Sequence, residues 1–316
     1  AAMAAAAWAH TVYLHPHLLT RLGFGVEEPF AGAVGFLDRA GVRGRMFNEY
    51  ESGGPLIYMG HPARKVFIDG RNVEYGPELV RAALSWHRPE VWKALDGRYR
   101  FDYAVIRRHV SGAYTSRVLD ELPEWRLVYW DDEAMVYLRD TEEHAGLIAR
   151  HGYELVRPGR GNYQYLEPLL REPASSEGVL EELDRALEQA PHGGCVIALL
   201  MKAYVLARAG RAGEAAESAA AAVRLRPAQA QPRFTLGWVH ETAGDFGRAE
   251  AAYAEALARV GRGQRRTLGA DILNNRGRAL ERRGDAGGAV RSYRKALRWN
   301  PRQGDALRNL RRLEGR

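Results

Sequence analysis

A single cysteine, Cys195, stands in 316 residues, so no intramolecular disulfide can form. That absence does not fix a compartment, because many periplasmic proteins also lack disulfides. Cys195 opens a predicted helix and reads as a small core filler. Lysine is scarce as well, and arginine supplies nearly all of the positive charge behind a formal net charge of +7. The surplus reads as modest and scattered, a solvated basic surface; the alternative is an anionic partner such as a phosphate-bearing lipid, a membrane surface or nucleic acid. No segment interleaves basic and aromatic residues as a nucleic-acid module does, so no nucleic-acid partner is expected.

No apolar run reaches the ~20 residues that would span a bilayer. There is no glycine-rich phosphate loop, no nucleophile elbow and no Cys/His metal spacing. No cofactor, metal or catalytic residue is therefore expected. His15 and His17 flank Pro16 without a third ligand at metal spacing, and are not read as a metal site. A free-standing metal enzyme using Glu49 and Asp69 would lack any supporting motif. What the chain does have is 46% hydrophobic residues, too many for a largely disordered protein, and length enough for two cores.

The first residues, AAMAAAAWAHTVYL, are apolar but lack the basic start of a signal peptide. A Gly- and Pro-punctuated loop follows. Residues 29–40 predict a helix with Phe30, Val34 and Leu37 on one face and Gly41 as its stop. From 45 to 139 the pattern alternates. RMFNEY, KVFIDG, FDYAVIRR, WRLVYW and AMVYLR read as strands rich in Val, Ile, Phe and Tyr. Helices are predicted near Gly53, from Pro77 to Leu95 as one or two pieces, and from Thr115 to Leu122. Asp131-Asp132-Glu133 reads as an exposed hairpin turn. Strand–helix–strand order predicts a small doubly wound, mostly parallel α/β sheet closed by an antiparallel edge hairpin. Asp140 to Gly152 predicts a helix with Asp140 as cap and Glu143 completing a capping box.

In a doubly wound sheet, ligands settle beyond the carboxyl ends of the strands. Asn48, Glu49 and Tyr50 end the first predicted strand; Asp69 and Arg71 end the second, with Tyr75 shortly after. Gly53, Gly54 and Gly70 would let backbone approach a ligand or turn sharply. These residues form the candidate substrate-binding site. Ordinary turn chemistry and a structural Asp69–Arg71 ion pair account for them equally well.

From 160 onward a period appears. Gly210 and Gly244 are 34 residues apart; Gly284 follows after 40, so six residues are inserted around RGQRRT. One copy carries Leu236, Gly237, Gly244-Asp245, Ala249, Tyr253 and Ala256-Leu257, and the next carries Gly277, Gly284-Asp285, Ala289, Tyr293, Ala296-Leu297 and Pro301. These positions resemble the tetratricopeptide repeat signature. A weaker copy precedes them, with Ala203 and Ala219 at signature positions, and a degenerate one ends at Pro191. GDALRNLRRLE looks like a terminal solvating helix. The resemblance implies a helical solenoid over 158–316, binding a protein or peptide along the face of its first helices. Tyr204, Phe234, Trp238, Asn274, Arg278 and Arg282 would line that groove, with Trp238 equally readable as core.

The order FNEYESGGPLIY, RKVFIDGRNVEYG, a DYAVI segment and a WRLVYWDDEAMVYLR hairpin also resembles the extracytoplasmic carboxyl-terminal module of bacterial GT-C, dolichyl-phosphate-mannose-mannosyltransferase-like membrane proteins. That resemblance covers roughly residues 28–157. It implies that residues 1–28 hold the end of a last membrane helix, and that the rest is an extracytoplasmic, inner-membrane-attached portion without its own catalytic loop. Asn48, Glu49 and Tyr50 would then meet sugar hydroxyls or an acceptor. Arg71, helped by Arg64 and Lys65, would meet a lipid-linked phosphate or a membrane surface. A non-enzymatic repeat scaffold is the competing reading.

Overall fold

The computed structural model describes residues 30–108, 115–160, 163–190 and 194–315, so the apolar stub and the His15/His17 pair lie outside the described residues. The chain divides into two compact units after Gly159.

The first unit is built on a four-stranded sheet. Its elements run α1 (Ala31–Arg39), β1 (Met46–Asn48), α2 (Gly53–Gly60), α3 (Asn72–Leu84), α4 (Pro89–Tyr99), β2 (Tyr103–Arg107), α5 (Arg117–Glu121), β3 (Trp125–Trp130), β4 (Ala134–Arg139) and α6 (Ala145–His151). Strand order is β1-β2-β4-β3. Only β1 and β2 are parallel, with Met46 opposite Tyr103; β2–β4 and β3–β4 are antiparallel. The sheet is therefore mixed and not doubly wound, which corrects the expectation of a mostly parallel one. The reason lies in KVFIDG, whose strand-like composition never enters the sheet. Residues 65–70 run as irregular chain, and the backbone of Phe67 and Ile68 bonds the Asn48 side chain instead of a neighbouring strand. The antiparallel edge hairpin is present as β3–β4, and it docks through β4 rather than β3.

Two apolar layers sandwich the sheet. On one side Phe30, Val34, Phe36 and Leu37 pack against Tyr103, Val105, Tyr129 and Val136, as the helical spacing predicts. Gly41 stops α1 with a left-handed φ of 67°. On the other side Phe47, fully buried, is ringed by Trp92, Trp86, Phe101 and Phe67 with centroids 4.9–5.6 Å away. The predicted Pro77–Leu95 helix is two pieces: α3 kinks at Gly76 (φ 74°) just before Pro77, and α4 starts at Pro89.

Two local expectations fail for identifiable reasons. Asp140 does not cap a helix; it pairs with Arg126 at 3.2 Å, and α6 begins only after His144, whose Nδ1 meets the Arg139 carbonyl. Asp131 is buried rather than exposed, accepting bonds from the Glu133 and Ala134 amides and the Tyr129 hydroxyl. Burial raises its pKa.

The second unit is all helix: α7 (Pro173–Gln189), α8 (Val196–Arg208), α9 (Ala212–Leu225), α10 (Ala230–Thr242), α11 (Phe246–Leu257), α12 (Ala270–Arg282), α13 (Ala286–Trp299) and α14 (Gly304–Leu313). Pairs α8/α9, α10/α11 and α12/α13 form three helical hairpins, and α14 closes the stack. The degenerate copy survives as α7 preceded by short 3₁₀ turns at Gln164–Leu166 and Leu169–Arg171. Turn glycines Gly210, Gly244 and Gly284 all take positive φ of 78–85°, which only glycine adopts without strain. Cys195 is buried at the start of α8, its sulfur accepting from the Ala198 amide at 3.5 Å.

Candidate functional site

In the first unit the two polar chain ends meet one another. The Asn48 side chain is completely buried. Its amide nitrogen donates to the Glu49 and Ile68 carbonyls at 2.9 and 2.8 Å, and its oxygen accepts from the Phe67 amide at 2.7 Å. A Cβ on Gly53 would lie 2.1 Å from the Ile68 carbonyl oxygen, so only glycine lets this segment press against the start of α2. The close approach is thus between two stretches of backbone. Glu49 is buried and accepts the Arg107 amide at 2.7 Å, closing the end of β2. Tyr50 lies half-buried in the turn before α2.

Asp69 is buried too, and its carboxylate is enclosed by its own neighbours. The Arg71 guanidinium bonds both oxygens (Nε to Oδ1 2.9 Å, Nη2 to Oδ2 2.6 Å) and the Tyr75 hydroxyl donates to Oδ2 at 2.9 Å. The Arg71 hydrogen bonds hold the Asp69 carboxyl down to about pKa 2, and the same pair raises the Arg71 pKa. Burial, then the bond to Asp69, raises that of Tyr75. Arg71 itself remains more than half exposed and also reaches Glu74 at 3.4 Å. The structure therefore brings Asp69, Arg71 and Tyr75 together as one cluster whose outward-facing charge is the guanidinium. Arg64 does not join it. It is buried elsewhere in the unit, bonded to the Val42 carbonyl and Asp38 at 2.8 and 2.7 Å. Lys65 is exposed.

In the second unit, first helices of successive repeats touch one another, α8 on α10 and α10 on α12, which places them along the inner side of the stack. Close crossing within a repeat depends on small residues: a Cβ on Gly237 or Gly277 would lie 2.6 or 2.4 Å from the ring of Tyr253 or Tyr293. Both tyrosines are fully buried. Tyr204 and Trp238 stack at 5.2 Å and 19°, with Tyr163 beyond at 5.5 Å, making a row of three half-buried rings. Phe234 leans toward Tyr253 at 5.9 Å. Asn274 is buried, bonded by Asn309 of the closing helix. Arg282 is exposed and its guanidinium lies 5.8 Å from the Phe246 ring.

A repeated tie escaped the sequence reading. Glu241 accepts the Tyr253 hydroxyl at 2.6 Å and two Arg278 bonds, at 2.8 and 2.5 Å. Glu281 accepts Tyr293 at 3.1 Å and Arg312 at 2.6 and 2.9 Å. Glu167 takes the Tyr204 hydroxyl and Arg208. In the first two ties one carboxylate fastens the second helix of its own repeat and the helix after it, α12 for Glu241 and the closing α14 for Glu281. The Arg312 bonds, followed by Tyr293, lower the Glu281 pKa, while burial and Glu167 push Tyr204 up to about 12. The signal was present as a glutamate four residues after Gly237 and Gly277 and twelve before Tyr253 and Tyr293.

Residues 180–230 and 234–306 match the tetratricopeptide repeat family. Among known structures, the crystal structure of MamA is 22% identical, covering 46% of this chain and 81% of that one at a TM-score of 0.38. BtubC (BKLC) from P. vanneervenii is 20% identical over 48% of this chain and 70% of that one, TM-score 0.39. The first repeat domain of Spaghetti (RPAP3), bound to the HSP90 peptide SRMEEVD, is 18% identical over 38% and 90%, TM-score 0.34. No curated protein matches the chain. No helix among the described residues is long and apolar enough to cross a membrane. The helical unit carries tetratricopeptide repeats.

Proposed function

We propose that this protein is an interaction scaffold whose repeat unit holds an extended peptide segment of a protein partner along its first helices. The carrying observation is the row Tyr163–Tyr204–Trp238, half-exposed on the segment before α7 and on the first helices α8 and α10, backed by the Tyr204–Glu167 bond, with the Arg278–Glu241 pair continuing it. Rigid aromatic rings bury much area at little entropic cost. Arg208 and Arg278 on this face already have carboxylates, Glu167 and Glu241, while Arg282 forms no ion pair among the described residues; the groove therefore carries little net charge and selects mainly by shape and apolar contact. Selection of a random peptide library on the full chain yields a consensus with at least one aromatic or large aliphatic residue. Binding of the selected peptide weakens at least 30-fold in Trp238→Ala, about 2 kcal/mol for one aromatic anchor. Unchanged affinity refutes the groove.

A second reading places the whole chain as the extracytoplasmic, inner-membrane-attached portion of a glycosyltransferase-like protein. The motif order from FNEY to VYLR supports it. Under this reading the exposed Arg71, with Glu74 and Tyr75 beside it, offers the contact to an acceptor or lipid-linked phosphate, because Asn48, Glu49 and Asp69 are turned to internal bonds. Membrane helices encoded upstream of Ala1 bear it out; a coding sequence without them ends it.

A further inference from the structure

The positive charge is not scattered. Residues 259–316 hold 17 arginines and lysines against five carboxylates, a surplus of 12, whereas residues 1–258 hold 29 against 34. Averaging over the chain hid this segregation behind a net charge of +7. Some of these cations are neutralised: Arg276 by Glu250, Arg278 by Glu241, Arg312 by Glu281, Arg294 by Glu314 and Arg308 by Asp305. Arg262, Arg265, Arg266, Arg291, Lys295 and Arg298 are exposed and have no carboxylate within ion-pair distance among the described residues.

Contacts through Trp299 bring the segment that carries Arg262, Arg265 and Arg266 against the helix that carries Arg291, Lys295 and Arg298. Arg262, Arg265 and Arg266 belong to the six-residue insert that stretches the 34-residue period to 40. The insert folds as a 3₁₀ turn and a π turn ending at Gly269, which lies against Trp299; a Cβ there would be 2.6 Å from the ring. Arg265 and Lys295 both sit over that ring, at 5.5 and 5.2 Å. Trp299 thus locks the insert onto α13, whose Arg291, Lys295 and Arg298 fall at i, i+4 and i+7 on a single face. Between α12 and α13 the same face opens a cavity of about 150 Å³ edged by Arg276, Arg291, Lys295 and Asp285, roomy enough for one phosphate group. Apart from Arg276, its cations come from the insert and a second helix, and it shares no residue with the proposed first-helix groove.

We infer that this platform binds the anionic headgroups of a phospholipid surface. Guanidinium groups match phosphate oxygens bidentately, and a planar sheet of phosphates fits a run of cations on an outer helix face. A base-reading role is disfavoured because Trp299, the aromatic at its centre, is half-buried and already engaged by Arg265, Lys295 and Gly269. The attachment is electrostatic adsorption without insertion, since the exposed large apolar side chains among the described residues, Tyr58, Val73 and Leu84, all lie in the first unit.

The test is co-sedimentation of the full chain with vesicles of phosphatidylcholine alone or containing about 30% phosphatidylglycerol, with a 30-base-pair duplex as competitor. The protein partitions onto the anionic vesicles and not the neutral ones, and raising salt from about 0.1 to 0.5 M releases it. Each cation removed lowers partitioning about fivefold. Arg262→Ser, Arg266→Ser, Arg291→Gln and Arg298→Gln combined therefore cut it several-hundred-fold, while Arg81→Gln with Lys93→Gln in the first unit changes it little. An unchanged circular-dichroism melt shows that the combined variant is folded, as expected for exposed, unpartnered side chains. Equal binding to both vesicle types, an indifferent combined variant, or release from vesicles by the duplex at equal phosphate concentration overturns the inference. Loss of peptide binding in Trp238→Ala leaves these outcomes untouched, so the two surfaces fail separately.

Discussion

Replacing Asn48 by alanine tests how the first unit closes. The side chain is fully buried and replaces a strand partner for residues 66–68, through one accepted bond of 2.7 Å and two donated bonds of 2.8 and 2.9 Å. Alanine leaves the Phe67 amide and the Ile68 carbonyl without partners in a site that Gly53 keeps too tight for side chains. A buried group left unpaired costs about 1–3 kcal/mol, and a small cavity adds to it. Allowing for the partial exposure of Phe67, the expected loss is about 2–4 kcal/mol. For a unit of this size that lowers its melting temperature by roughly 8–15 °C. Tryptophan fluorescence reports mainly on the first unit, because five of the seven tryptophans, Trp8, Trp86, Trp92, Trp125 and Trp130, fall within residues 1–159 and two, Trp238 and Trp299, in the second. Asn48→Asp keeps one acceptor but turns a carboxylate toward two carbonyls, and loses at least as much. Gly53→Ala, which separates the same two segments, is not additive with Asn48→Ala. A loss below about 0.5 kcal/mol in Asn48→Ala, or full additivity, refutes the claim that this amide holds the segment in place.

Other perturbations follow from the same contacts. The Asp69 carboxyl has its folded-state pKa lowered to about 2. The stability it contributes is therefore present above its unfolded pKa of about 4 and is lost as pH falls from about 5 toward 2. After screening through the exposed Arg71 this amounts to about 1–2 kcal/mol, so urea titrations at pH 7 and pH 3 differ less for Asp69→Asn than for the parent. Gly277→Ala drives a methyl group against the buried Tyr293 ring and costs about 2–4 kcal/mol by denaturant unfolding of the helical unit. Glu241→Gln weakens a tie that joins two repeats and costs about 1–2 kcal/mol, partly recovered when Arg278→Gln is added, as a double-mutant cycle reads directly.

Much of this architecture was legible in the sequence, and the misses share a cause. The repeats announce themselves because each element there is local: Gly237 sits sixteen residues before the Tyr253 ring it admits, and the turn glycines recur in phase. Helix α1 was readable from Phe30, Val34 and Leu37 for the same reason. KVFIDG was misread because strand propensity reports on burial and β-branching, and Ile68 is buried and Phe67 half-buried without a ladder. Likewise β4, and not β3, pairs with β2, a pairing that local pattern does not encode. At the candidate site the residue types were identified, but their partners were not. Asn48 and Asp69 are polar residues near chain turns in either reading, and only the fold shows Arg71, Tyr75 and backbone groups facing them. The basic platform was visible in composition alone once the chain was divided at residue 259, and whole-chain averaging concealed it.

The most direct test of the scaffold reading is a hydrogen-exchange footprint of a peptide selected on the full chain. Protection concentrated in Val196–Arg208, Ala230–Thr242 and Ala270–Arg282, the three first helices, is the predicted result. Protection confined to Ala286–Trp299 or to the first unit would contradict it.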